Sequence, residues 1–255
     1  FCIEQGGKLR AIVHASLYGQ NSTVGVPWKL VLGGVDEVAA IAATWIKSVK
    51  DDRRVIIQLP GGALLEGVLH EDFSIDDAKA LMGRLADLEG AYKQLASSPA
   101  HAFARVVAVW DHLKKEVVFF LPDALMFGEA AAVYGFNRTS RFISVAATRC
   151  ADLVLSPYYD DLSQLEVVKL APSAEATFKQ FVGKLGFKLS EEPSKDKPFA
   201  RSFAPLGVEV DLSDSSKGRV SIAPKLTRVV KIVEECKVAV LSGRLSFKEA
   251  RALQG

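Results

Sequence analysis

"SPYYDDL" (residues 156–162) places two aspartates side by side, Asp160 and Asp161, straight after the apolar run "DLVL" (152–155). Adjacent carboxylates repel each other. The tight turn of a hairpin tolerates such a pair, because both acids reach water there and Asp is a common turn residue. "DLVLSPYYDDLSQLEVV" therefore reads as two strands with the acids at the tip. Taken alone, the pair is a polar turn. A second acid widens the reading. Asp87 in "LADLEGAYKQL" also closes an apolar, strand-like run. Strand ends facing one side of a sheet bring three carboxylates together, and such a cluster is costly unless cations neutralise it. Two divalent ions are the recurring solution in enzymes of phosphoryl transfer. Mg²⁺ suits a few carboxylates combined with substrate phosphates.

Working outward from the tip, the chain alternates hairpins and helices. "GGKLRAIVHASLYGQNSTVG" is a strand followed by a loop. "GVDEVAAIAATWIKSVK" is a helix with acids in its first turn and lysines in its last. "RVIIQLPGGALLEGVLH" is a hairpin turning at "PGG", and "SIDDAKALMG" is a short helix or turn. A strand then ends near Asp87. "ARVVAVWD" and "EVVFFLP" form a second hairpin, and a long helix starts near Gly128. After the acidic hairpin comes "SAEATFKQFVGKLG", a helix with Ser173 at its N-cap and Gly186 at its end. "RSFAPLGVEVDL" and "GRVSIA" are strand-like. "PKLTRVVKIVEECKVAVLSG" is a helix with Pro224 in its first turn and Gly243 past its end. From Ser246, "SFKEA" has capping-box spacing into a further helix. Hairpins interleaved with helices predict an α+β fold around an antiparallel sheet, not a series of βαβ units.

The 255 residues suffice for one large domain or two small ones, with a composition of 49% apolar and 24% charged residues that is soluble and globular. The longest apolar stretch, Val38–Ile46, is too short to span a bilayer, so no membrane partner is expected. No signal peptide is visible. The opening on Phe1 and the stop at "LQG" read as a piece of a longer protein. Cys2, Cys150 and Cys236 are widely spaced and odd in number, which argues against disulfides and for a reducing, intracellular compartment, cytoplasm or nucleus. Four scattered histidines, His14, His70, His101 and His112, are surface or packing residues rather than ligands. From Lys217 onward nine Lys and Arg face three Glu, against a net charge of +2 for the whole chain. A basic tail on a slightly acidic body is either a solvated helix face or a surface for a polyanion.

At this point a family resemblance becomes specific. "YYDDL" resembles the tyrosine-x-aspartate-aspartate box of reverse transcriptases. "DLEGAYKQL" is similar to their first palm motif, with Ala91 and Tyr92 following Asp87. "LMFGEAAAVYGFNRTSR" resembles the middle motif, "KLRAIV" the fingers strand, and "LGFKLSEEPSKDKP" with "APLGVEV" the last two palm motifs. The family's order is kept across nearly the whole chain. "FNRTSR" and "GRLSFKEARALQG" are closest to retroelement enzymes paired with a tyrosine recombinase. Val13, His14 and Met126 depart from the family pattern, and Tyr159 is a bulky choice for the variable position of the box.

The resemblance implies a right-hand polymerase fold. The fingers would occupy 1–80 and 96–127, the palm 81–95 and 128–215, and the start of the thumb 216–255. It implies that Asp87, Asp160 and Asp161 hold two Mg²⁺ ions (or Mn²⁺ in their place), with the carbonyl of Leu88 as a further ligand. Lys8 and Arg10 would grip the triphosphate of the incoming nucleotide. Tyr92 would lie beneath its sugar and exclude a 2′-hydroxyl; otherwise it is a core aromatic. Gly128 would let the backbone approach the nascent base pair. Lys195, or Lys197, would protonate the leaving pyrophosphate. Leu206 and Gly207 would lie in the turn that holds the primer. The implied partners are an RNA or DNA template with its primer and deoxynucleoside triphosphates. The contrasting expectation is a domesticated copy that keeps the fold and binds nucleic acid without catalysis.

Overall fold

The computed structural model describes residues 2–5, 8–17, 19–25, 29–193, 195–247 and 250, with backbone alone up to Ala11. In chain order the elements are β1 (Cys2–Gln5), β2 (Lys8–Ala11), α1 (Val35–Ser48), β3 (Arg54–Gln58), β4 (Leu64–Val68), α2 (Ile75–Lys79), β5 (Leu81–Asp87), β6 (Val107–Asp111), β7 (Glu116–Phe120) and α3 (Ala130–Ala151). They continue with β8 (Val154–Tyr158), β9 (Asp161–Val167), α4 (Ala171–Lys184), β10 (Ser202–Phe203), β11 (Val208–Asp211), β12 (Ser221–Pro224) and α5 (Leu226–Ser242). The protein is thus mixed α and β with antiparallel sheets. The expected antiparallel pairing is present, but spread over several sheets. Among the described residues, β1–β2, β3–β4 and β6–β7 stand as separate hairpins beside two three-stranded sheets, β5-β9-β8 and β10-β11-β12. A hairpin completes its ladder with its neighbour in the chain, so alternating patterns fix the pairs without joining them into a common sheet.

The chain divides into two compact units. One comprises Phe1–Val38 and Met82–Ala200, the other Ala39–Leu81 and Arg201–Gly255. The first holds the main hydrophobic core. On α3, Ala132, Phe136, Ser140, Ile143 and Ala147 recur every three to four residues and are buried, as the helical period demands of a stripe facing a sheet. On α4, Ala174, Phe178 and Val182 repeat the pattern, and both stripes share one core cluster with Leu153 before β8 and Leu155 and Leu162 of the β8–β9 hairpin. The sheet order puts β9 in the centre, and Leu162 through Val167 are all buried. Pro157 is accommodated because β8 is an edge strand. Thr148 Oγ1 donates to the Leu153 carbonyl at 2.8 Å, so α3 is tied to the entry of β8.

In the second unit, Ala42, Ile46, Val49, Ala78, Leu81, Phe203, Val210 and Leu212 are buried. Trp45 Nε1 donates to the Ala78 carbonyl at 3.1 Å, and Ser215 Oγ accepts from the Leu81 amide at 2.9 Å. Ser74 and Asp77 close a capping box on α2. No residue of α5 is buried, and its valines, leucines and basic residues face outward together. Among the described residues no helix is long and apolar enough to cross a membrane.

Two helix starts differ from expectation. Ser173 is not the N-cap of α4: the helix begins at Ala171 behind Leu170, with Pro172 in the first turn, where a missing N–H costs no hydrogen bond. Pro224 is not in α5 but closes the edge strand β12 opposite Val208, and Lys225 takes the cap position. Gly186 and Gly243 do follow α4 and α5 in left-handed conformation. The capping-box reading at Ser246 runs into Lys248 and Glu249, outside the described residues, although the Ala250 amide donates to the Ser246 carbonyl at 2.9 Å.

Candidate active site

The tip of the β8–β9 hairpin is built from its register. Tyr158 pairs with Asp161, which leaves Tyr159 and Asp160 as a two-residue loop. Such loops need a left-handed residue, and Tyr159 supplies it at φ 51°. For a bulky non-glycine residue that conformation costs on the order of 1–3 kcal/mol. Its ring packs edge-on against Tyr158, centroids 5.0 Å apart. β9 is buried from Leu162 onward, and Asp160 and Asp161 just before it are half-buried. Asp87 is the last residue of β5, the strand on the other side of β9, and is only 4% exposed. On the edge strand, Ser156 Oγ donates to Glu37 of α1 at 2.8 Å.

Electrostatics tie the three acids together. Burial pushes Asp161 up to about 6, and the charges of Asp160 and Asp87 push in the same direction. Burial also raises Asp87; the hydrogen bond from Lys195 opposes this, while Asp160 adds to it. Lys195 Nζ donates to Asp87 Oδ2. Burial alone would lower Lys195, but Asp87, Asp160 and Glu192 together hold it above the usual lysine value. Among the described residues, one ammonium therefore faces the three aspartates and Glu192. Among the described residues, no three Asp, Glu, His or Cys side chains stand close enough, as placed, to hold one metal ion. In chemistry and charge, the carboxylate oxygens of Asp87, Asp160 and Asp161 nevertheless fit a hard divalent cation, which would relieve the repulsion that raises Asp161. The Leu88 carbonyl accepts from the Ala91 amide at 3.2 Å and keeps a second lone pair.

The other expected residues fall as follows. Tyr92 is 8% exposed and lies within the core, its ring against Phe127 (4.8 Å) and Phe136 (4.9 Å). Its phenol is pushed up to about 12 by burial and by the nearby Asp160 and Tyr159, so the ring belongs to the core and borders the acidic tip. Gly128, at φ 100°, has no room for a side chain: a Cβ there would lie 2.1 Å from the Val13 carbonyl. The close approach it permits in this structure is to the loop after β2, which Val13 fastens by donating to Phe127 at 3.0 Å. Asn21 accepts from the Ala130 amide and donates to the Gly128 carbonyl, so a distant side chain caps α3. Arg105 grips Glu129 through two 3.0 Å hydrogen bonds at the same helix start. The His14 ring accepts from the Leu17 amide at 3.1 Å and so serves a local turn. Lys8 and Arg10 lie in β2, but their side chains fall outside the described residues. Lys197 is exposed, and its amide donates to Leu85. Leu206 and Gly207 form a tight turn with both residues left-handed, and they belong to the second unit. Cys150 and Cys236 are free and exposed, and Cys2 again lacks a described side chain.

A second charged cluster in the first unit went unread in the sequence. Arg84 on β5 is fully buried. Its Nε donates to Gln164 at 3.0 Å, and its Nη1 lies 3.3 Å from Glu175 and 3.5 Å from Asp196. Its guanidinium stands 5.6 Å from the ring centroids of both Phe178 and Phe199. Lys179 bridges Glu175 and Asp196 at 2.8 Å each. The one local signal is an arginine in the middle of the apolar run "LMGRLAD".

No protein-family profile matches the chain, and no curated protein matches it in sequence.

Proposed function

We propose that this chain is the fingers, palm and beginning of the thumb of a retroelement reverse transcriptase. In that right-hand polymerase fold, the β5-β9-β8 sheet with α3 and α4 is the palm. It adds deoxynucleotides to a primer 3′-hydroxyl on an RNA or DNA template. The single observation that carries this reading is the electrostatic coupling of Asp87, Asp160 and Asp161 at neighbouring strand ends, with Lys195 paired to Asp87. A protein rarely leaves carboxylates so poorly neutralised without a ligand to balance them.

In this reading the three aspartates and the Leu88 carbonyl hold Mg²⁺. Held there, the metal would supply Lewis-acid charge for the primer hydroxyl, the triphosphate and the departing pyrophosphate. The chain's own residues position and discriminate. The Tyr92 ring closes the space a 2′-hydroxyl would need, held rigid by Phe127 and Phe136. Gly128, which seats the Val13 loop, lets that backbone lie close to the nascent base pair. Lys8 and Arg10 grip phosphates. Lys195 hands a proton to the leaving group. Leu206 and Gly207 hold the primer strand, and the basic residues of α5 follow the nucleic-acid backbone. The test is primer extension by the purified chain on RNA and DNA templates with Mg²⁺, Mn²⁺ or chelator. Extension with deoxynucleotides that chelator abolishes supports the reading. Template binding without any extension replaces it with a non-catalytic nucleic-acid-binding role.

A further inference from the structure

We infer that Lys195 is a resident counterion which a divalent cation replaces: bound to Asp87 in the metal-free protein, its ammonium leaves when the cation arrives and is thereby delivered toward the substrate phosphates. This rests on the polymerase reading of the acidic site. Three observations carry it. First, Lys195 is the ion-pair partner of Asp87, the most buried of the three acids. A cation ligated by Asp87 must compete for the same carboxylate, because ammonium and metal would occupy one negative site. Second, the backbone beneath Lys195 is pinned. Its amide and that of Asp196 both donate to the Glu192 carbonyl, at 2.8 and 2.9 Å, and the Lys197 amide donates to Leu85 of β5. The Asp196 carboxylate is held by Arg84 and Lys179. What remains free to move is the Lys195 side chain. Third, that side chain is 38% exposed and rotates about four bonds, so it has solvent to swing into. Loading of the acids and release of the general acid then become one event, and a metal-free site keeps its proton donor sequestered.

The experiment is Mn²⁺ binding without nucleotide or nucleic acid, followed by the paramagnetic resonance of free Mn²⁺. It compares the unaltered chain, Lys195→Ala, Lys195→Gln and Asp160→Asn. Lys195→Gln keeps a hydrogen-bond donor for Asp87, so the comparison survives if Lys195→Ala does not fold. Both Lys195 variants are expected to bind Mn²⁺ more tightly, on the order of tenfold, the worth of one charge-assisted hydrogen bond. Removing a positive charge also favours a cation at a distance, so displacement is read separately. Mass spectrometry of amine acylation should show Lys195 reacting several-fold faster once Mn²⁺ is added. Equal or weaker Mn²⁺ binding by the Lys195 variants, or acylation unchanged by Mn²⁺, overturns the replacement. If the unaltered chain binds Mn²⁺ and Asp160→Asn does not, the metal site stands even when the replacement fails. If no form binds Mn²⁺, both fall.

Discussion

Two charged clusters sit three residues apart on β5, and they are opposites. Around Arg84, two cations face two carboxylates beside Gln164 and two aromatic rings, and the buried Nη2, alone of the guanidinium nitrogens, has no hydrogen-bond partner among the described residues. Around Asp87, among the described residues, three aspartates and Glu192 face one ammonium. Alternation along a strand sends residues 84 and 87 to opposite faces. The next-door pair Lys195 and Asp196 serves both clusters, Lys195 on Asp87 and Asp196 on Arg84. A buried charge persists in a stable fold when its partners cancel it. The Arg84 cluster meets that condition and serves packing. The Asp87 cluster does not, and such an imbalance marks a site that awaits a ligand.

The comparison breaks most visibly at Arg84. Arg84→Ala strands Glu175 and Asp196 without their cation, and it should cost roughly 3–5 kcal/mol in urea unfolding. A loss under about 1 kcal/mol would mean that the cluster is as exposed as a surface pair. Tyr92 comes next, because it belongs to the core and borders the acids. Tyr92→Ala should admit ribonucleotides in single-nucleotide insertion by on the order of a hundredfold in relative rate. It should also destabilise the chain, whereas Tyr92→Phe should do neither. An unchanged ratio of ribo- to deoxynucleotide insertion in Tyr92→Ala would leave Tyr92 with packing alone. The smallest effect lies at Asp161. Its folded-state value, near 6, is above the ordinary 3.8, so the proton favours the folded chain. Stability from this group is complete below about pH 4 and is lost as pH rises through about 6. Asp161→Asn should therefore raise the melting temperature of the metal-free protein at pH 8 and not at pH 4. The rise should be about 2–4 °C per kcal/mol relieved. An equal shift at both values would contradict the electrostatic cause.

What the sequence made legible was local. Hairpins at "PGG", at "HLKK" and at the acidic tip follow from alternation plus turn chemistry, and the long helix after Gly128 follows from the absence of breakers. The end of β5 at Asp87 was legible for the same reason. The Arg84 cluster was not, because Gln164, Glu175 and Asp196 lie far along the chain and no period links them to residue 84. The cap of α3 escaped likewise, since it is Asn21, more than a hundred residues upstream. The tight seat of Gly128 against Val13 is a contact between loops that no motif encodes. The partition of the described strands into five sheets was hidden because alternation specifies pairs and not their assembly.

The most direct measurement is a double readout on Asp160→Asn, primer extension beside thermal melting without divalent ions. If the acidic tip is a catalytic site held against its own repulsion, extension falls by on the order of a thousandfold or more, because a charge that anchors the transition state is gone. The melting temperature stays level or rises, because one repelling carboxylate is gone. Extension that continues unchanged in Asp160→Asn, or a variant that unfolds, would contradict the account and return the tip to the role of a polar turn.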